Sequence, residues 1–596
     1  MSLPPLANLF AMREPNPERR HDVLLGLQAR SEIVVCWQPA PDWLAAAAPL
    51  PGGTPDGDQV RALGFAFAEG RDRVAGREEI DVDALRGLRE TVIQRPEHLA
   101  TRPGDFGFLL FGDDGGVTIV RSCGGLVPFY YAVDGERIAV ATRLEYVVRF
   151  SQREYALDPL VNAICTGHGW LPADGRTFFT GVSTLRTGHF VRLAPGAHAR
   201  ARAYWDPRPE RESDLIRGPE RPRILRQLLL DNLERELDPD GDNLLSLSGG
   251  VDSTTLAALA VRITSRRVST VSFVPPEPEQ KVTQLHFIEA LANEVELQRR
   301  WTIALSPAKQ IQLLLSDHRI LYHVQHPVLL TLPRVLEETP VKVLFGGEFG
   351  DEVCGSRLTL PDWTAHTSLL QLLAGLRRLP YGASDILRWT KHGLLRLVRR
   401  PRMFCASDLS EVIRPELRAE YRELYERRRR ELGRERRPLG HLAFTVEDEY
   451  WLAQNWEAAS AHGVRRSIPF ATRELVEFAF RSHPRDLLGP GTKKLLRYAV
   501  SGDVPAENLG RTDKGGWRGP SRQARCLWET PLPPELEQIV RSDWFPAPPQ
   551  AIHWGEAAEL AQLSKFSDNL DCVRDGVDPS VYSVGGSEQW NVRVRR

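Results

Sequence analysis

Apolar positions are spaced in two different ways along this chain. Over the first third they come as short runs rich in β-branched and aromatic residues: EIVVCW (32–37), FGFLLF (106–111), GVTIV (116–120), VPFYYAV (127–133), RIAVAT (137–142) and HFVRL (189–193). Glycine, aspartate and proline punctuate these runs, which predicts strands joined by turns. FLLFGDDGGVTIV sets Asp113-Asp114-Gly115-Gly116 between two apolar runs and predicts a hairpin. DVDALRGLRETVI (81–93) and LDPLVNAICTG (157–167) have helical spacing and predict helices covering mixed sheets. After the Pro- and charge-rich stretch 202–222 the rhythm changes. LLSLS (244–248), RVSTVSFV (267–274) and VKVLFGG (341–347) are continuous apolar runs, separated by the helical patterns STTLAALAVRITS (253–265) and LLTLPRVLEETP (329–340). Alternation of buried strands with helices predicts a parallel sheet, so the fold class is α/β. The expected boundary divides the chain into domains 1–207 and 208–596. Residues 356–440 read as an inserted helical segment. Its basic clusters RLVRRPR and ERRRRELGRERR, the latter with interspersed Glu, read as a solvated helix face.

Composition narrows the class. At 596 residues the chain is long enough for about two to four domains. Lys+Arg 77 against Asp+Glu 78 leaves a net charge of −1, so no overall charge draws the protein to nucleic acid or membrane. Seven scattered cysteines form no CxxC pair, which argues against a disulfide framework or zinc knuckle and points to a reducing cytoplasm. No signal-peptide pattern opens the sequence, and no apolar run reaches the ~18 residues of a membrane span. A soluble cytoplasmic protein is expected.

Three segments carry chemistry. In the first, Leu247, Ser248, Gly249, Gly250, Val251, Asp252 and Ser253 connect a strand to a helix. Two glycines let the backbone approach a phosphate, and the helix start offers free N–H groups. Ser248 and Ser253 add hydroxyls. Asp252 would repel bare phosphate, which implies a bridging cation, Mg²⁺. In the second, VKVLFGGEFGDEVCG, Gly347, Glu348, Asp351 and Glu352 follow a buried strand, an acidic cluster that offers the second carboxylate a bound Mg²⁺ needs. In the third, KKLLRYAVSGDVPAENLGRTDKGGW (493–517), Lys514 sits in a glycine-rich turn after Arg511. Ser272 and Phe273, at the end of the following strand, are assigned to the nucleotide as well.

SGGxDS after a strand resembles the PP-loop of the ATP pyrophosphatase superfamily, which implies ATP cleaved between its α and β phosphates. The second segment resembles the "sGxGxDExFgG" stretch of asparagine synthetases, with Asp351 at the metal-binding aspartate; Phe349 and Gly350 depart from the usual Gly-Ser/Ala. The third resembles that family's "KxxLRxA…LP…RxKxGF", whose final lysine, here Lys514, lies near the acyl-adenylate. Lys493 and Lys494 are expected to matter less. The first half resembles the family's glutamine amidotransferase domain through GDFGFLLFGDD, VPFYYAVDG and IAVATRLEYV. The fold implied is an N-terminal degenerate class II glutamine amidotransferase-like (Ntn αββα) domain plus a C-terminal PP-loop ATP pyrophosphatase domain. Glutamine hydrolysis in that family uses an N-terminal cysteine. Here the second residue is Ser2 and no cysteine precedes Cys36, so ammonia production is read as lost.

The aspartate-binding stretch departs too. Where asparagine synthetases carry "DRxxMAxxVExRxPFLD", this chain has WEAASAHGVRRSIPFATRE, with Arg465 and Ser467 in place of Glu and Arg. Exchange of such charged partners costs about 2–5 kcal/mol, which argues against aspartate amidation. Kept nucleotide machinery with a changed acceptor site resembles the lasso peptide cyclases and the β-lactam or carbapenam synthetases. Chain length, the insertion and Trp528, Trp544, Trp554 and Trp590 favour the peptidic substrate. The resemblance implies adenylation of an Asp/Glu side chain of a precursor core peptide and macrolactam closure with its N-terminal amine. ATP and Mg²⁺ are the implied cofactors, and a leader-recognition protein and leader peptidase the further partners. Glu348 is the first candidate for the base, with Glu449 and Glu457 behind it. Alternatives are a small-molecule synthetase, an asparagine synthetase-like amidotransferase, and a nucleotide-binding scaffold without turnover.

Overall fold

The computed structural model describes residues 9–28, 35–37, 42–47, 62–66, 94–101, 104–112, 114–150, 158, 160–161, 174–207, 216, 218–238, 242–264, 268–274, 278–304, 327–355, 415–434, 449–460, 462–482, 487, 493–511 and 592–595. The expected helix at 81–93, most of that at 157–167 and the cluster RLVRRPR lie outside these residues. No helix among the described residues is long and apolar enough to cross a membrane.

The N-terminal part runs β1 (Leu9–Arg13), α1 (Pro17–Gln28), β2 (Val35–Trp37), β3 (Trp43–Ala47), β4 (Ala62–Ala66), β5 (Phe106–Phe111), β6 (Val117–Arg121), β7 (Phe129–Asp134), β8 (Arg137–Ala141), α2 (Leu144–Phe150), β9 (Ser183–Leu185), β10 (His189–Leu193) and β11 (Arg200–Ala203). Two antiparallel sheets form, one ordered β2-β3-β1-β8-β7-β9 and the other β11-β10-β6-β5-β4. Their apolar faces meet, Trp43 of β3 standing edge-on to Phe111 of β5 with ring centroids 5.0 Å apart. The predicted hairpin joins β5 to β6, with Phe111 opposite Val117. Gly115 turns it at φ +75°, a conformation glycine adopts without steric cost.

The C-terminal part runs α3 (Arg221–Glu236), β12 (Asn243–Ser246), α4 (Val251–Thr264), β13 (Val268–Val274), α5 (Pro278–Glu294), β14 (Arg300–Ala304), α6 (Pro327–Glu338), β15 (Val343–Phe345), α7 (Gly350–Cys354), α8 (Arg418–Arg434), α9 (Glu449–Ser460), β16 (Arg465–Ser467), α10 (Arg473–Phe480), α11 (Lys494–Ala499), α12 (Ala506–Gly510) and β17 (Val592–Arg595). Its sheet has the order β16-β15-β12-β13-β14-β17, parallel except where β17 adds antiparallel to β14. The central strands β12, β13 and β15 are buried almost throughout, as in a parallel sheet covered on both faces. Ala257, Ala258 and Ala260 of α4 are buried, and side chains this small let the helix lie close to the sheet. From β12 the chain goes to β13 and β14 on one side, then returns to β15 on the other. That reversal opens a crevice at the carboxyl ends of β12 and β15, where open α/β sheets bind ligands.

The two parts pack through residues 469–477. A Cβ on Gly124 would stand 2.7 Å from the Ala471 carbonyl, Trp205 donates to Glu477 (2.9 Å), and Arg473 donates to the Ala100 carbonyl. The second basic cluster falls partly on α8. That helix buries Tyr421 and Leu424 and exposes Arg422, Glu423 and Arg427, while Arg176 pairs with Glu420 at 2.9 Å. Of the basic residues in that cluster Arg427 is exposed, and the side chains of 428–437 lie outside those described.

Candidate functional site

At the end of β12 the backbone is folded around two serines. The Ser248 N–H donates to Ser253 Oγ (3.1 Å), and the two hydroxyls lie 3.0 Å apart. Gly249 has φ +69°, and a Cβ there would press on Phe287 at 2.9 Å and Arg511 at 3.1 Å. Both features require glycine. Val251 then opens α4, so Val251, Asp252 and Ser253 lie in the first turn, where backbone N–H groups have no partner inside the helix. Leu247 is buried and donates its N–H to the Val271 carbonyl, which fixes the loop to the sheet. From α12 and the residue after it, Asn508 donates to the Phe287 carbonyl (2.8 Å) and Arg511 to the Ser248 carbonyl (3.2 Å). Arg511 also lies over the Phe287 ring, 4.3 Å from its centroid. Arg497 in turn donates to the Leu509 and Arg511 carbonyls. The LRxA pattern therefore ties α11 to the segment that backs the loop.

The second loop closes onto the first from β15. A Cβ on Gly347 would be 3.0 Å from the Ser253 nitrogen, and one on Gly350 only 2.5 Å from the Asp252 carboxyl carbon. Only glycine permits that approach. Between them Phe349 sits at φ 64° with its ring buried. A non-glycine residue held there stores about 1–3 kcal/mol of strain. Glu348 bonds the Arg466 guanidinium at 2.6 Å, and Arg466 also donates to the Leu344 carbonyl at 3.3 Å. A Cβ on Gly346 would collide with both groups of that pair. Alternation along β16 sends Arg466 to one face and Arg465 and Ser467 to the other. Arg465 there pairs with Glu236 of α3.

Asp252 and Asp351, 99 residues apart in sequence (351 − 252), meet across one side chain. Lys493 Nζ binds Asp252 and lies 2.9 Å from Asp351 Oδ1. Burial disfavours this cation, yet Asp252 and Asp351 outweigh burial and hold Lys493 charged, above the ordinary lysine range. Lys493 has φ 58° and donates its N–H to the Gly355 carbonyl (2.9 Å). Phe349 and Lys493 are the non-glycine residues with positive φ among those described, and both stand at this site. Lys493 and Lys494 are alike as sequence neighbours, whereas the structure separates them: Lys493 is buried and Lys494 half-buried. The signal was in the quoted KxxLRxA pattern, whose first lysine, four residues before Arg497, is Lys493.

Two hard oxygen donors facing one cation fit Mg²⁺. Among the described residues no group of three or more His, Cys, Asp or Glu side chains could hold a metal ion, so Asp252 and Asp351 are a partial coordination shell. Ser272 is buried and Phe273 half-buried at the end of β13, with the Phe273 carbonyl accepting from Gln284 at 2.5 Å. Lys514, Ser2 and the four tryptophans lie outside the described residues. Glu449 opens α9.

Glu457, on the same helix, faces the N-terminal part. Burial raises its carboxyl to about 7, against the opposing pull of Arg143 and a Tyr130 hydrogen bond, with Glu145 adding to the rise. An acid raised above its unfolded value stabilises the fold at low pH and loses that contribution as pH climbs from about 4.5 to about 7. Relative to Glu457→Gln, wild-type stability should therefore fall between pH 5 and 7, by on the order of 3 kcal/mol at most. Denaturant midpoints at several pH values check this; parallel curves for the two proteins would exclude it.

The sequence profile of the asparagine synthase family matches residues 224–546. Among curated proteins, the chain is similar to the amidase chry2 of Gibberella zeae, 29% identical over 160 residues covering 26% of this chain and 23% of that protein. The amidase chyE of Penicillium rubens is 27% identical over 166 residues, with the same coverage of 26% and 23%. The chain thus spans about a quarter of the length of these relatives. Among solved structures, a glutamine phosphoribosylpyrophosphate amidotransferase from B. subtilis complexed with ADP and GMP is 11% identical, covering 50% of this chain and 81% of that one, with TM-score 0.23. An allosteric regulatory enzyme of purine biosynthesis is 10% identical, covering 50% and 80%, with TM-score 0.20.

Proposed function

The chain belongs to the asparagine synthase family, which implies an ATP-dependent ligase of carbon and nitrogen, and on that premise we propose that it is a peptide macrolactam synthetase of the lasso cyclase type. The observation that carries the nucleotide half of this reading is the meeting of Asp252 and Asp351 across one cation at the switch point of the parallel sheet. Asp252 and Asp351 would hold Mg²⁺, which when bound supplies positive charge to the departing pyrophosphate. The α4 N-terminus, Ser248 and Ser253 bind the phosphates, and Ser272 and Phe273 line the nucleotide. A substrate carboxylate attacks the α-phosphorus, and an amine of the same substrate then displaces AMP from the acyl-adenylate. Glu348, fixed by Arg466, accepts the amine proton, and Lys514 stabilises charge at the acyl centre. Holding both ends of one peptide replaces a bimolecular encounter, an advantage that reaches ~10⁵ M in effective molarity.

The peptide half rests on the changed acceptor stretch. Arg465, at the position of the family's glutamate, is engaged with Glu236 and the Glu236 carbonyl on α3. It therefore faces structure instead of a small amino acid. The precursor core peptide is the proposed substrate, supplied by a leader-recognition protein and a leader peptidase.

The test uses ATP labelled at the α- or γ-phosphate, with Mg²⁺ and synthetic core peptides carrying Asp or Glu within reach of a free N-terminus. AMP, pyrophosphate and a peptide lighter by one water are expected. ADP and phosphate as products would refute the nucleotide chemistry. AMP formation with small carboxylates alone would refute the peptide reading and leave the ligase class standing.

A further inference from the structure

Lys493 sits where the two acidic loops would receive a cation. Its ammonium bridges Asp252 of the first loop and Asp351 of the second. Its side chain is 9% exposed, its backbone is held at φ 58°, and its N–H is anchored on the Gly355 carbonyl. A buried ion pair holds only where both charges are compensated, and here one ammonium serves two carboxylates. The placement is thus built into the backbone, at a cost in strain that a lysine at negative φ would not incur.

We propose that Lys493 is the resident counter-ion of the Asp252–Asp351 pair, so that the nucleotide-free protein excludes free divalent metal and admits Mg²⁺ only together with the nucleotide's phosphates. This rests on the ATP reading above. Two independent features support it. A dication entering beside Lys493 would face a buried like charge at close range, an interaction strongly unfavourable away from water. Phosphate oxygens entering with the metal cancel that repulsion. The second feature is the donor count: the described residues hold no group of three or more His, Cys, Asp or Glu side chains here, and two carboxylates leave coordination positions that phosphate and water can fill.

The experiment follows Mn²⁺ by electron paramagnetic resonance, measuring loss of the free-ion signal on titration into the full-length chain. With MnCl₂ alone, the wild type should take up no stoichiometric Mn²⁺, and Lys493→Arg, which keeps the charge, should behave likewise. Lys493→Met should bind one Mn²⁺ per chain at least about tenfold more tightly than the wild type. Lys493→Met combined with Asp351→Asn should lose that site. With α,β-methylene-ATP present, the wild type should take up Mn²⁺ beyond the amount chelated by the same nucleotide without protein. Stoichiometric uptake by the wild type without nucleotide would overturn the proposal, as would a folded Lys493→Met that binds no more tightly than the wild type, and either leaves the ATP reading intact. The wild-type arm keeps the test decisive even if Lys493→Met fails to fold. No uptake by the wild type with the nucleotide analogue would sink the ATP reading, and this inference with it.

Discussion

Asp252→Asn is expected to abolish ATP cleavage, lowering the release of AMP and pyrophosphate by about 10³-fold or more, with Asp351→Asn nearly as severe. Each change keeps the side chain's shape and removes one of the two charges that meet Lys493. The loss removes a fixed electrostatic group from a buried site, and single groups of that kind are worth roughly 10²–10³ in rate. Loss of one of the two carboxylates proposed to hold the metal adds to it. Stability should fall as well, because Lys493 keeps its charge beside a weakened partner. Breaking one side of a buried pair costs about 3–5 kcal/mol, and half of a shared pair should cost less. Nucleotide products separated by chromatography, alongside thermal melts, distinguish the two effects. Near-wild-type turnover by either folded variant at saturating Mg²⁺ and ATP would remove the paired-ligand assignment.

The second large effect needs no charged residue. Gly350→Ala should cut turnover by about 10²-fold, because its Cβ would lie 2.5 Å from the Asp252 carboxyl carbon. Asp252 or the backbone of the second loop must then move by around 1 Å, a displacement that typically costs 10²-fold where groups are held for reaction. Global stability should change less than in the aspartate variants, since no buried charge loses its partner. Gly510→Ala is the matched control: it lies in the same part of the chain and a Cβ there meets nothing within 4 Å. Steady-state kinetics on both variants make the comparison. Equal activity in the two would show that the close packing of the loops has no catalytic role.

Much of this was legible in the order of residues. The strand-turn-helix from Leu244 to Thr264, the hairpin between Phe111 and Val117, and the parallel character of the second sheet follow from local apolar spacing and turn chemistry. These depend on neighbours within a few positions. That SGGVDS turns from strand to helix, with glycines and hydroxyls at the helix start, was legible for the same reason. Other features depended on what is distant in sequence. That Asp252 faces Asp351 follows from the crossover that places β15 beside β12, and no local pattern encodes that neighbour. The different duties of Lys493 and Lys494 follow from a left-handed backbone at one of them. Arg465 and Arg466, adjacent and chemically identical, are separated by the pleat of β16, one toward Glu236 and the other toward Glu348. Sequence by itself determined which elements form and which chemistry their ends can offer, because both are short-range properties. Only the tertiary structure decided which ends meet and which charges neutralise each other, because partners across a sheet are chosen by its topology and by the burial that makes an unmatched charge costly.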